Sequence, residues 1–136
     1  MVDYSAVDIF DHRPYDDYPY LVLPKETYRM DLNFDSESSI RAYVYRKDDL
    51  FGDPVPLNLA GITISFNIFS ADNILICVGE GRISDLDTSE IEYVIGENDI
   101  RDFGRYYGYF ILTDINGKSL MLPNPRQKQR IVINAV

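Results

Sequence analysis

At 136 residues, 46% of them hydrophobic, the chain is long enough for one domain with a real core and a segment left over. Its 11 Tyr and 7 Phe, with no Trp, suit strands, where aromatic rings fit the pleated surface. The net charge of −9 argues against a nucleic-acid backbone or an anionic membrane surface as partner, since both require clustered Lys and Arg.

Residues 1–25 differ from the rest. Asp3, Asp8, Asp11, Asp16 and Asp17 face only Arg13 and Lys25, and Pro14, Pro19 and Pro24 interrupt any helix or ladder. Tyr4, Phe10, Tyr15, Tyr18 and Tyr20 are scattered through this acidic stretch. One reading is a disordered tail. The favoured one is an extended arm over 1–25 that docks its aromatics on a neighbouring subunit, because ordering its backbone costs roughly 1–2 kcal/mol per residue and only buried rings would offset that. Phe10, Tyr15, Tyr18 and Tyr20, with Asp11, Asp16 and Asp17, are its candidate contact residues.

From residue 26 onward the pattern is strand-like. Tyr28, Met30, Leu32 and Phe34 alternate with Arg29, Asp31 and Asn33, and Ile40, Ala42 and Val44 alternate with Arg41, Tyr43 and Tyr45. The segment from Lys47 to Pro54 reads as a loop. Ile62, Ile64, Phe66 and Ile68 form the clearest alternation, and Ser70-Ala71-Asp72-Asn73 turns it into Ile74–Val78. Gly79-Glu80-Gly81 breaks or bulges that strand. Short strands follow at Arg82-Ile83 and Ile91–Ile95. Asn98 or Asp99 has the chemistry to cap a single helical turn near Ile100. A strand over Arg105–Thr113, an Asn116-Gly117 hairpin turn, a return at Ser119–Leu122 and a last strand from Arg130 complete the set. Eight or nine short strands with almost no helical period predict an all-β sandwich or barrel.

Asp102-Phe103-Gly104-Arg105-Tyr106-Tyr107-Gly108 selects between them. Its D-x-G-x-Y-x-G spacing resembles the tyrosine corner of immunoglobulin-like sandwiches, in which a Tyr at the start of a late strand bonds backward to the backbone, two residues before a cysteine. Asp102, Gly104 and Tyr106 are the corner residues, and Gly108 stands where the cysteine would be. The expected architecture is thus an immunoglobulin-like antiparallel β-sandwich over 26–136 without an inter-sheet disulfide. Two segments extend the resemblance. Gly52-Asp53-Pro54-Val55-Pro56-Leu57-Asn58-Leu59-Ala60-Gly61 runs into Ile62–Phe66, and Leu112-Thr113-Asp114 with Asn116-Gly117-Lys118 follows the corner. Together they resemble the immunoglobulin-like N-terminal domain of phage baseplate upper proteins and related tail, neck and fibre domains of virions. That resemblance implies a structural scaffold or adaptor with other virion proteins as partners, and it carries over no catalytic residue.

The chemistry-bearing residues agree with a non-enzyme that needs no cofactor. Cys77 is the only cysteine, which excludes an internal disulfide and a multi-cysteine metal site and fits synthesis in a reducing host cytoplasm. It lies in an apolar strand, where free Cys acts as a small hydrophobe. His12 is the only histidine and sits in the arm, so no Ser or Cys nucleophile gains a His partner on a rigid element. Counting from Asp85, an EF-hand loop would need Gly where Glu90 stands and Glu where Gly96 stands. Gly79-x-Gly81-x-x-Ser84 lacks the last glycine of a dinucleotide loop. Met1-Val2-Asp3-Tyr4 does not open like a secretory signal, and no apolar run approaches the ~20 residues of a membrane helix.

Two surface features speak of assembly. Arg126, Lys128 and Arg130 recur at period two and form the one basic stripe. Either they defend an edge strand against aggregation, or they meet the aspartates of another subunit's arm. Tyr43, Tyr45 and Phe69 fall on outer strand faces, as a protein-binding patch or as a surface for the chain's own arm. The expectation is a non-enzymatic virion component, a homo-oligomer or part of a symmetric complex. A carbohydrate-binding or adhesin sandwich is the alternative, and a small hydrolase with two converging acids is the third reading.

Overall fold

Among the residues that the computed structural model describes, 19–23, 28–32, 38–46, 54–96, 98–123 and 130–135, the alternating segments form eleven strands and no helix. They are β1 (Tyr20–Val22), β2 (Tyr28–Leu32), β3 (Ser38–Arg46), β4 (Val55–Pro56), β5 (Thr63–Ser70), β6 (Leu75–Glu80), β7 (Arg82–Asp85), β8 (Glu90–Ile95), β9 (Gly104–Thr113), β10 (Ser119–Leu122) and β11 (Ile131–Ala135). One sheet runs β1-β3-β8-β7 with β4 beside β3, and the other runs β2-β11-β9-β5-β6 with β10 beside β9. Every pairing is antiparallel except β2 with β11, which is parallel.

The two sheets pack face to face as a β-sandwich. Alternation along β3 and β8 sends Ile40, Ala42, Val44, Ile91, Tyr93 and Ile95 inward from the first sheet. Ile64, Phe66, Ile68, Phe110, Leu112 and Ile133 meet them from the second. Phe66 lies at the centre, stacked on Tyr93 at 4.7 Å and edge-on to Phe110 at 4.7 Å. Its ring also fills the space over Gly108, where an added Cβ would collide with the Phe66 ring carbons. An aromatic side chain thus occupies the room beside the position that a bridging cysteine would take.

Two local expectations change. Residues 19–23 of the expected arm belong to the sandwich. Tyr20–Val22 pairs with Tyr43–Tyr45 of β3, and Leu21 and Leu23 are buried in the core. Pro19 directly precedes this short strand at the sheet edge, where a missing N–H costs no ladder bond. The sandwich therefore includes residues 19–23, and the chain passes from the first sheet in β1 to the second in β2. No helical turn opens at Ile100. The Asp99 carboxylate reaches back instead, accepting at Oδ2 from the Gly96 N–H at 2.8 Å and from the Tyr93 hydroxyl. The expected break at Gly79-Glu80-Gly81 is present, with β6 ending at Glu80 and β7 beginning at Arg82 as the chain changes sheet, while the bulge of β6 lies further back, opposite Ile68 and Phe69.

The β9–β10 connection is longer than a two-residue Asn-Gly turn. The Gly117 N–H donates to the Asp114 carbonyl at 3.0 Å, and Gly117 alone in this loop takes a positive φ, 83°. The Asp114 carboxylate accepts from the Asn116 and Lys118 N–H groups, at 2.9 and 3.0 Å, and so closes the loop. This is a turn followed by a left-handed glycine, the three-residue hairpin geometry. β10 and then β11 run along the same edge of β9, pairing with its second and first halves. Between them Leu122 joins Pro123 through a cis peptide bond.

Candidate functional site

The corner residues have a structural task. Tyr106 points into the sandwich, and its hydroxyl donates to the Asp102 backbone carbonyl at 2.8 Å. This is the backward bond that the D-x-G-x-Y spacing predicts. Gly104 supplies a φ of 144° at the first residue of β9, a conformation that side chains rarely adopt. Burial pushes the Tyr106 phenol up and keeps it protonated. Asp102 contributes its carbonyl, and its side chain is not part of the bond.

On the outer face of the first sheet, Glu92 of β8 lies between Arg41 of β3 and Arg82 of β7, its register partners. Arg41 Nε donates to Glu92 Oε2 at 2.6 Å, and Arg82 Nε to Glu92 Oε1 at 2.8 Å. The arginines remain largely exposed while they cover the carboxylate, which is only 2% exposed. The Arg41 hydrogen bond, followed by that of Arg82, holds the Glu92 carboxyl below the usual carboxylate range. Beside this ladder, Tyr43 and Tyr45 lie with nearly parallel rings 6.5 Å apart, and Tyr20 of β1 leans on Tyr45. A bond to the Glu90 side chain raises the Tyr43 hydroxyl. Tyr20, expected to contact a neighbour from a free arm, is half-buried in its own sandwich.

The outer face of the second sheet is more apolar. Phe69 of β5 packs edge-on against Tyr109 of β9 at 5.6 Å. Arg130, the one described member of the basic stripe, is exposed and sets its guanidinium 5.9 Å from the centre of the Tyr107 ring. It therefore stands at the start of β11 as a cation over an aromatic. Leu75 and Val78 of β6 and Met121 of β10 are 48%, 62% and 41% exposed on this face. These positions were legible in principle. In Tyr106-Tyr107-Gly108-Tyr109-Phe110-Ile111-Leu112 both phases of the strand are apolar, so an outward stripe of large side chains follows. Phe10, Asp11, Tyr15, Asp16, Asp17, Tyr18, Arg126 and Lys128 lie outside the described residues.

Most titratable side chains with described partners are tied to the fold. Cys77 faces Tyr93 and Asp99, and burial, with the Asp99 charge second, pushes its thiol up, away from nucleophilic thiolate character. Burial and the same Asp99 raise the Tyr93 phenol. Asp85 closes the β7–β8 turn by accepting from the Asp87 N–H at 2.9 Å. Among the described residues no three His, Cys, Asp or Glu side chains converge as a metal site would require. No family model and no curated protein matches the chain.

Proposed function

We propose that this protein is a non-enzymatic assembly module of immunoglobulin type and that it serves as a structural component of a bacteriophage virion. The strand order supports the immunoglobulin reading. With β1, β3, β8 and β7 lettered A, B, E and D, the first sheet has the order of an immunoglobulin domain, and β11, β9, β5 and β6 give the G-F-C-C′ order of the second. The Tyr106–Asp102 bond then falls at the start of strand F, where the corner belongs. The observation that carries the assembly reading is the placement of large side chains outward on both sheets, while carboxylates such as Glu92, Asp99, Asp85 and Asp114 are spent on cross-strand bonds and turns. The virion setting rests on the resemblance of the 52–66 and 102–118 segments. Residues 1–18, with Phe10, Tyr15 and Tyr18, supply a second contact element.

A pull-down from the source lysate tests this, comparing the full chain with a truncation that begins at Pro19. Tail, baseplate, neck or fibre proteins captured by the full chain and lost from the truncation support an assembly protein anchored by its N-terminal residues. Capture of host metabolic enzymes alone speaks against it. The parallel Tyr43 and Tyr45 rings favour one second reading, a glycan platform on the first sheet. Saturable glycan binding that Tyr43→Ala abolishes is the outcome expected of that reading.

A further inference from the structure

We infer that the outer face of the second sheet is an interface with a second copy of this chain, stacked so that the strands of the two sheets run in opposite senses. The inference deepens the assembly reading by naming one partner, and it holds whether or not the complex belongs to a virion. The face has the make-up of an interface centre. Phe69, Leu75, Val78, Tyr109, Ile111 and Met121 share it by register, across β6, β5, β9 and β10. Aromatic residues and Met are enriched in interface centres, and charges are depleted there. Scattered exposed apolar residues are ordinary, but a contiguous set across four strands marks an interaction surface.

Charge decides the occupant. At a net −9, two copies repel each other over most approaches. Among the described side chains on the strands of this face, by contrast, the charges are one acid, Glu80, and one base, Arg105, with a second base, Arg130, just before β11. A second copy therefore meets little like charge here. The charges are also segregated along the strands. Glu80 pairs with Ser65, which lies opposite Ile111 near the end of β9, whereas Arg105 is at the start of β9. Stacking in opposite senses lays the Glu80 end of one sheet over the Arg105 end of the other, twice by symmetry, as an isologous contact requires. Stacking in the same sense would place like charges together.

Sedimentation equilibrium of the full chain tests this. The wild type is expected to form a dimer at micromolar concentration. Met121→Lys and Val78→Lys, at opposite sides of the face, should each raise the dissociation constant by roughly tenfold or more while leaving the circular dichroism spectrum unchanged. Val94→Lys, on the outer face of the first sheet, should leave it unchanged. Glu80→Lys and Arg105→Glu should each weaken the dimer, and the double substitution should restore it. A wild type that stays monomeric overturns the inference. So does a dimer that responds to Val78→Lys and not to Met121→Lys, which would indicate pairing along the β6 edge. Failure of the charge-reversed pair to recover would overturn the opposed stacking.

Discussion

Gly108 is needed for its missing side chain, because the Phe66 ring occupies the volume that a Cβ would need. Phe66 cannot retreat, held between Tyr93 and Phe110. Gly108→Ala should therefore destabilise the fold by about 1–3 kcal/mol, the usual cost of overpacking, measured as a lower denaturation midpoint. Unchanged stability would mean that the ring moves freely. Glu92 makes a pH-dependent contribution. Its folded pKa is depressed, so its stabilisation is complete above the unfolded carboxyl value of about 4.3 and is lost as pH falls through the lower folded value. Glu92→Gln should accordingly melt below the wild type at pH 7, and the two should converge as the pH drops below about 4. The gap should be small and shrink with salt, because both arginines are largely exposed.

A three-residue strand carries more weight than its length suggests. Among the described residues β1 pairs with β3 alone, but Leu21 between its outward neighbours Tyr20 and Val22 is fully buried, and Leu23 follows it into the core. Removing one buried Leu side chain typically costs 2–5 kcal/mol. A chain that begins at Glu26 should therefore melt well below one that begins at Pro19, or fail to fold. Equal melting temperatures would show that β1 is dispensable. β9 pairs along one edge with β5 and along the other with β10 and β11 in succession. Its two-phase apolar pattern is what such a central strand needs, with Tyr106, Phe110 and Leu112 inward and Tyr107, Tyr109 and Ile111 outward.

The molecule holds its sheets together through one shared core, with Phe66, Tyr93 and Phe110 meeting at its centre from both sides. No disulfide ties the sheets, since Cys77 is the single cysteine and is free. Unfolding should therefore be one cooperative transition, with far-UV circular dichroism and tyrosine fluorescence reporting the same midpoint. Two separated midpoints would mean that the sheets melt independently. The first and second strands tie the sheets further, because the chain places β1 in one and β2 in the other within a dozen residues.

Strand existence was legible from the sequence because alternation is a local property, and β3, β5 and β9 lie where their apolar phase predicts. The corner was legible for the same reason, its donor and acceptor being four residues apart. Only the tertiary structure assigned β1 to a sheet, since the pattern around Leu21 is too short to distinguish a strand from an arm until β3 lies beside it. It alone brought Arg41 to Glu92, 51 residues away, and aimed Phe66 at Gly108. The chain by itself determined which residues alternate and where they turn, through local backbone preference and hydrophobic period. Which strands pair, and therefore which faces remain open to a partner, was decided by long-range packing.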